Sequence, residues 1–181
     1  MPGKTYMPSK WYHVANGKIK SKTEEWDSFE AELVKIERRE GEYEGQKYWE
    51  YLLSFLDGID TVKISIREES WFTYGFFARL LKCQRSLPIE VGALLPEGRD
   101  KGSLCWMKQA GQKIVPDKDP IAMPTVVLDA KSQPVKVQGR EVKDWTGTAE
   151  QFQNIANEWN SKAVVPPSVY EPPPVDKDLP F

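Results

Sequence analysis

Residues 46–67 read QKYWEYLLSFLDGIDTVKISIR, and the fold follows from how that run divides. Its last seven positions alternate. Val62, Ile64 and Ile66 point one way while Thr61, Lys63, Ser65 and Arg67 point the other, the period of a strand with one buried face. Asp57-Gly58 just ahead favours a tight turn, and Gln46 to Asp57 is long and aromatic enough to be a second strand running back against the first. Upstream, Ala31, Leu33, Val34 and Ile36 mark a half-buried strand from Phe29 to about Arg39, with Gly41 to Gly45 as its turn. The three strands make a meander.

Beyond Arg67 the period changes. Ser70 is placed to cap a helix in which Trp71, Tyr74, Phe77, Ala78 and Leu81 recur at helical spacing to about Cys83. Pro88 closes that helix. Ile89 to Leu95 reads as a fourth strand, Pro96 to Gly102 as a charged loop, and Ser103 to Gln109 as a fifth strand. Strand, strand, strand, helix, strand, strand is the order of the OB-fold. The expected fold class is therefore mainly β: a five-stranded Greek-key barrel over residues 28–110, with a helix between strands three and four.

The remaining chain is read as additions to that barrel. Residues 1–27 are expected to form a peripheral N-terminal arm that covers an edge, in which Trp11 to Val14 and Lys18 to Lys20 flank a turn at Ala15-Asn16-Gly17. Residues 111–162 form an extension. In it, Ile121 to Leu128 and Val135 to Val142 make a further hairpin around Gln133-Pro134 or wrap the barrel. Thr148 with Gln151 reads as a capping box opening a C-terminal helix, with Phe152, Ile155, Ala156 and Trp159 on one face. That helix is expected to dock on the body or on another subunit, so a homo-oligomer is compatible with the pattern. Residues 163–181 are a proline-rich, flexible, disordered tail, whose Pro166-Pro167 and Pro172 to Pro174 favour an extended spacer.

Composition narrows the function. The formal charge of −2 is accounted for by Glu171, Asp176, Lys177 and Asp178, which leaves the body neutral. A nucleic-acid binder with a neutral body must concentrate its cations on one face. The two cysteines, Cys83 and Cys105, lack metal-ligand spacing, and no apolar run is long enough to span a bilayer. The expected setting is a reduced cytoplasm with buried free thiols and no membrane association. The only histidine, His13, stands in the arm without a nucleophile around it. Gly41 to Gly45 lacks the lysine and hydroxyl ending of a phosphate-cradling loop. Asp57, Asp60, Glu68 and Glu69 are acids at strand ends rather than a metal site. No enzymatic activity, cofactor or metal is expected.

The chain ends Asp176-Lys177-Asp178-Leu179-Pro180-Phe181, an acidic and then apolar tip that no core requires. Leu179 and Phe181 suit an apolar pocket, Pro180 limits the entropy lost on ordering, and Asp176 and Asp178 steer the approach to a basic partner. This ending resembles the C-terminal tip of bacterial single-stranded DNA-binding proteins, where acidic residues precede Ile-Pro-Phe or Leu-Pro-Phe. Lys177 interrupts the family's acidic run. The resemblance implies that the body coats single-stranded DNA while the tip recruits enzymes of replication, recombination or repair. It places the protein in a bacterial cell or a phage-infected host, and the lack of a Gln/Gly-rich linker points to a bacteriophage version.

An OB barrel holds single strands across strands two and three, with aromatic faces for bases and cations for phosphates. Alternation along strand two makes Lys47, Trp49 and Tyr51 its outward part. Lys63, Ser65 and Arg67 form the polar face of strand three. Trp106 and Lys108 share a face on strand five, and Lys35 extends the groove from strand one. Arg38, Arg39, Arg99 and Lys101 stand at loops that grip the backbone. The alternative is a non-enzymatic protein-interaction or phage assembly module with the same barrel body, which the neutral charge favours.

Overall fold

The computed structural model describes residues 10–162. The meander is β4 (Ser28–Tyr43), β5 (Gln46–Asp57) and β6 (Asp60–Arg67), followed by α1 (Trp71–Leu80), β7 (Ile89–Leu94) and β8 (Leu104–Gln109). Before it come β1 (Lys10–Ala15), β2 (Lys18–Lys20) and β3 (Glu25–Trp26), and after it the short β9 (Gln112–Lys113). The extension holds β10 (Thr125–Val126), β11 (Lys136–Val137), β12 (Arg140–Glu141), β13 (Lys143–Asp144) and α2 (Thr146–Ser161). The protein is thus mainly β with two helices, and the element order expected for the central segment is present.

Among the described residues the first nine strands form one sheet in the order β3-β2-β1-β6-β5-β4-β7-β8-β9. β4 is long enough to serve two neighbours. Ser28 to Ala31 pair with β7 and Glu32 to Tyr43 with β5, and a bulge between Leu33 and Lys35 lets the strand bend between them. The free edge of β6 is taken by β1, which runs parallel to it with Trp11 opposite Lys63 and His13 opposite Ser65. Residues 10–26 are therefore an integral part of the sheet rather than a peripheral arm. The edge that a five-stranded barrel would close with its last strand is filled from the N-terminal side, and β3 and β9 stand unpaired with each other at the two ends of the sheet order.

One face of the sheet carries the core. Tyr51, Leu53 and Phe55 of β5 lie beside Val62, Ile64 and Ile66 of β6, all buried. The Tyr51 ring meets Phe77 of α1 at 4.9 Å edge-on, and Phe77 stacks on Phe152 of α2 at 4.8 Å. Both helices thus share the sheet's single inner face. Ser70 caps α1 as expected, its Oγ accepting from the Thr73 amide at 3.1 Å. The α-helix stops at Leu80 rather than Cys83, because Lys82 and Cys83 turn back on Arg79 and Leu80 through shorter-range bonds.

α2 buries the expected stripe of Phe152, Ala156 and Trp159, with Ile155 half-buried. The capping box does not form. Trp145 stands at the N-cap without a side-chain cap, while Thr148 Oγ1 donates to the Ala122 carbonyl and Gln151 accepts from the Ala122 amide. Those two side chains tie the helix to the preceding loop instead. The hairpin expected around Gln133-Pro134 forms only at its closed end, where Leu128 bridges Pro134 and the Val135 amide donates to the Val127 carbonyl; beyond it Val135 to Val142 closes on itself as the β11–β12 hairpin around Gln138-Gly139, and β10 pairs with β13. The tail and its tip, including Asp176, Asp178, Leu179, Pro180 and Phe181, lie outside the described residues.

Candidate nucleic-acid interface

Register decides which side chains share the outer face, since residues directly opposite each other project the same way. Lys63 lies opposite Ser54 on β5, and Ser54 lies opposite Lys35 on β4; Arg67 lies opposite Glu50, and Glu50 opposite Arg39. Lys35, Lys63, Ser65 and Arg67 therefore stand on one outer surface, joined by Arg39. Trp11 and His13 of β1 complete it on the far side of β6.

The aromatic part of the sequence reading is corrected. Lys47, Trp49 and Tyr51 lie on the opposite face. Tyr51 is fully buried between α1, α2 and the sheet, so its ring is unavailable to a base. Burial, and next the charge of Glu68, push its hydroxyl pKa well up. Trp49 lies beyond the core on that same side, where the Arg38 guanidinium sits 3.8 Å from its ring centre. Arg38 in turn donates twice to Glu68, at 2.6 and 2.9 Å, which raises its pKa further. Arg38 is thereby committed to the structure rather than to a loop grip, and so is Glu68. Lys47 is exposed and pairs with Glu40 at 3.0 Å. The six residues from Glu50 to Phe55 are all buried, so the middle of β5 offers no alternation from which to choose a face.

The outer aromatics of this surface include Tyr48, Trp11 and, opposite Gln46 at the end of β4, the exposed Tyr43. Arg67 lies 4.0 Å from the Tyr48 ring centre, and Arg39 and Lys63 lie 5.0 and 5.1 Å from that of Trp11, which is 47 % exposed. Glu50 organises this surface from beneath: it is 6 % exposed and accepts from Arg39 Nε at 2.6 Å and from Ser65 Oγ. A carboxylate buried with two donors holds them in fixed geometry. Lys35 is partly neutralised by Glu37 at 2.8 Å. Periodicity gave Trp11 no place, because its face is set by a parallel pairing with a strand some fifty positions away.

Trp106 and Lys108 share a face, as alternation requires, but β5, β4 and β7 lie between them and β6. Trp106 covers Gly92 so closely that a Cβ there would lie 2.0 Å from its ring. Lys108 sits 5.3 Å from that ring and 3.9 Å from Glu90. The structure thus brings together Lys35, Lys63, Ser65 and Arg67 with Trp11, Tyr48 and Arg39, and sets Trp106 and Lys108 apart. Chemically, the assembled face offers the Trp11 ring with two cations over it, while the Tyr48 ring lies against Gly41 with Arg67 over it, an aromatic and cationic surface of the kind that suits a base with its phosphates.

Cys83 and Cys105 are buried free thiols. Among the described residues no helix is long and apolar enough to cross a membrane. No known family model, curated protein or solved structure matches the chain.

Proposed function

We propose that this protein is a non-catalytic binder of single-stranded DNA, with an OB-like barrel body and a C-terminal tip that recruits partner enzymes. The observation that carries the reading is the outer face of β1, β6, β5 and β4, where the half-exposed Trp11 ring has Arg39 and Lys63 over it and Arg67 lies over Tyr48. A base has a π-face whatever its identity, so such a surface binds largely without sequence preference. Lys35, Arg39, Lys63 and Arg67 stand together on this face with Glu37 and Glu50, a local excess of positive charge of the kind a neutral body needs to hold a polyanion.

The test is a titration of the full chain with oligo(dT), followed by tryptophan fluorescence at several salt concentrations. Quenching and a negative salt dependence are expected. Trp11→Ala should weaken binding about tenfold, in keeping with the ~1–3 kcal/mol of one base stack. Arg67→Ala should reduce the salt slope by about 0.7, the share of one phosphate on a single strand. Absence of any affinity at low salt ends the proposal. The tip is tested separately: removing Leu179 to Phe181 should leave strand affinity intact and abolish capture of replication or recombination enzymes.

The overall charge also suits a protein-interaction or phage assembly module. That reading predicts no response to oligo(dT) and a partner bound through the same face, so one titration separates the two.

A further inference from the structure

Past Arg67 the chain turns through Glu68 to Ser70 into α1. Facing that turn are the loop between β7 and β8 and the β11–β12 hairpin, and together they enclose a cleft of about 860 Å³. That volume is within the range of small-ligand sites, about 300–1,000 Å³. Trp71 stands in its wall, 36 % exposed, with its ring fixed by edge contacts to Trp145 at 5.4 Å and Tyr74 at 5.7 Å. The cleft is also lined by Arg99, Lys101, Arg140 and Lys143, the last with its Nζ 5.8 Å from the Trp71 ring centre. None of these four cations has a carboxylate within 4.0 Å among the described residues.

We infer that this cleft is a second subsite for the bound strand, taking one base on the face of Trp71 and its flanking phosphodiesters on the four cations. This deepens the single-strand reading and rests on it. Charge selects the ligand class. Glu69, Asp100 and Glu141 also line the cleft, so four cations face three carboxylates. So small an excess suits singly charged phosphodiesters and opposes a free nucleoside triphosphate with its several charges. Position supplies the connection. A smaller cleft, lined by Arg67 of the outer face and by Ile66, Ser70, Phe72, Gly102 and Ser103 among others, shares Gly102 with this one. A strand crossing the outer face therefore reaches Trp71 by way of Arg67.

The experiment uses the full chain, with oligo(dT) of increasing length read by fluorescence anisotropy across a salt series. The double variant Arg140→Ser with Lys143→Ser alters the rim of the cleft and leaves the core alone. It should reduce the salt slope by about 1.4, the share of two phosphates, and shorten the occluded length by one or two nucleotides. Trp71→Phe should weaken binding severalfold, and oligonucleotides carrying 5-iododeoxyuridine should photocrosslink to Trp71 in the unaltered protein. If the double variant keeps the slope and length, and no crosslink forms at Trp71 while Trp11→Ala still weakens binding, the cleft is rejected and the sheet-face reading stands. If the unaltered protein binds no oligonucleotide at all, both fall. If dTTP displaces the oligonucleotide from the cleft at equal concentration, the site is for a free nucleotide and the strand subsite is overturned.

Discussion

Arg38 shows how one side chain can look like a binding residue and serve as a structural one. It lies over Trp49 at 3.8 Å and forks onto Glu68, whose side chain is 5 % exposed. Breaking a buried pair strands the remaining charge, at a cost of about 3–5 kcal/mol, whereas replacing both partners with apolar groups is often neutral. Arg38→Leu should therefore lower the unfolding free energy in urea by about that much, and Arg38→Leu with Glu68→Leu should recover most of it. A double variant no more stable than the single would show that the pair itself carries the stability. Strand affinity should be unchanged in both. Nothing in the sequence separates Arg38 from Arg39. They are neighbours on opposite faces of β4, and only the register with β5 sends one to Glu68 and the other to the outer surface.

At the scale of elements, β4 carries the most demands. Beyond Ala31 its edge has no strand partner among the described residues, and side chains take that place. Asn160 of α2 accepts from the Ile36 amide at 2.9 Å and donates to the Ile36 carbonyl at 2.7 Å, while Arg85 donates to the carbonyls of Leu33 and Val34. Covering an exposed edge in this way blocks pairing with another chain. Asn160→Ala should cost about 1–3 kcal/mol for two hydrogen bonds lost at a strand edge. It should also speed hydrogen exchange at the Ile36 amide more than elsewhere in the sheet, and uniform exchange across the sheet would refute the local role. The boundaries of Gln46–Asp57 and Asp60–Arg67 were legible, because Gly58 marks the turn between them and the latter alternates cleanly, whereas β4 runs past the expected Arg39 to Tyr43 and takes Gly41 into the strand. The face of β5 was not legible, because Glu50, Leu52 and Ser54 on its outer side are buried along with the core residues between them. The Thr148 and Gln151 pattern misled for a related reason. A capping-box spacing states what two side chains are able to bond, and here the Ala122 backbone competes for them.

Over the whole molecule, the deciding contact is the parallel pairing of β1 with β6, which no local pattern announces. It carries Trp11 to the outer face and at the same time buries Tyr12 on the inner one. Tyr12 donates to Glu24, and burial first, then that bond, push its hydroxyl pKa from 10.0 up to about 12. Burial likewise raises the Cys83 thiol from 9.0 to about 11, and the Cys105, Tyr51 and Tyr74 groups shift upward as well. Each of these is held neutral in the fold and ionises earlier in the unfolded chain. Their contribution is therefore fully present below the unfolded values, near 9.0 for the thiols and 10.0 for the phenols, and is lost as pH climbs through the folded ones. Every group ionised only in the unfolded chain steepens the loss by about 1.4 kcal/mol per pH unit. The urea midpoint should thus stay level to about pH 9 and fall steeply by about pH 11. A midpoint level through that window would mean that these groups, Tyr12 of the N-terminal strand among them, are not seated in the core.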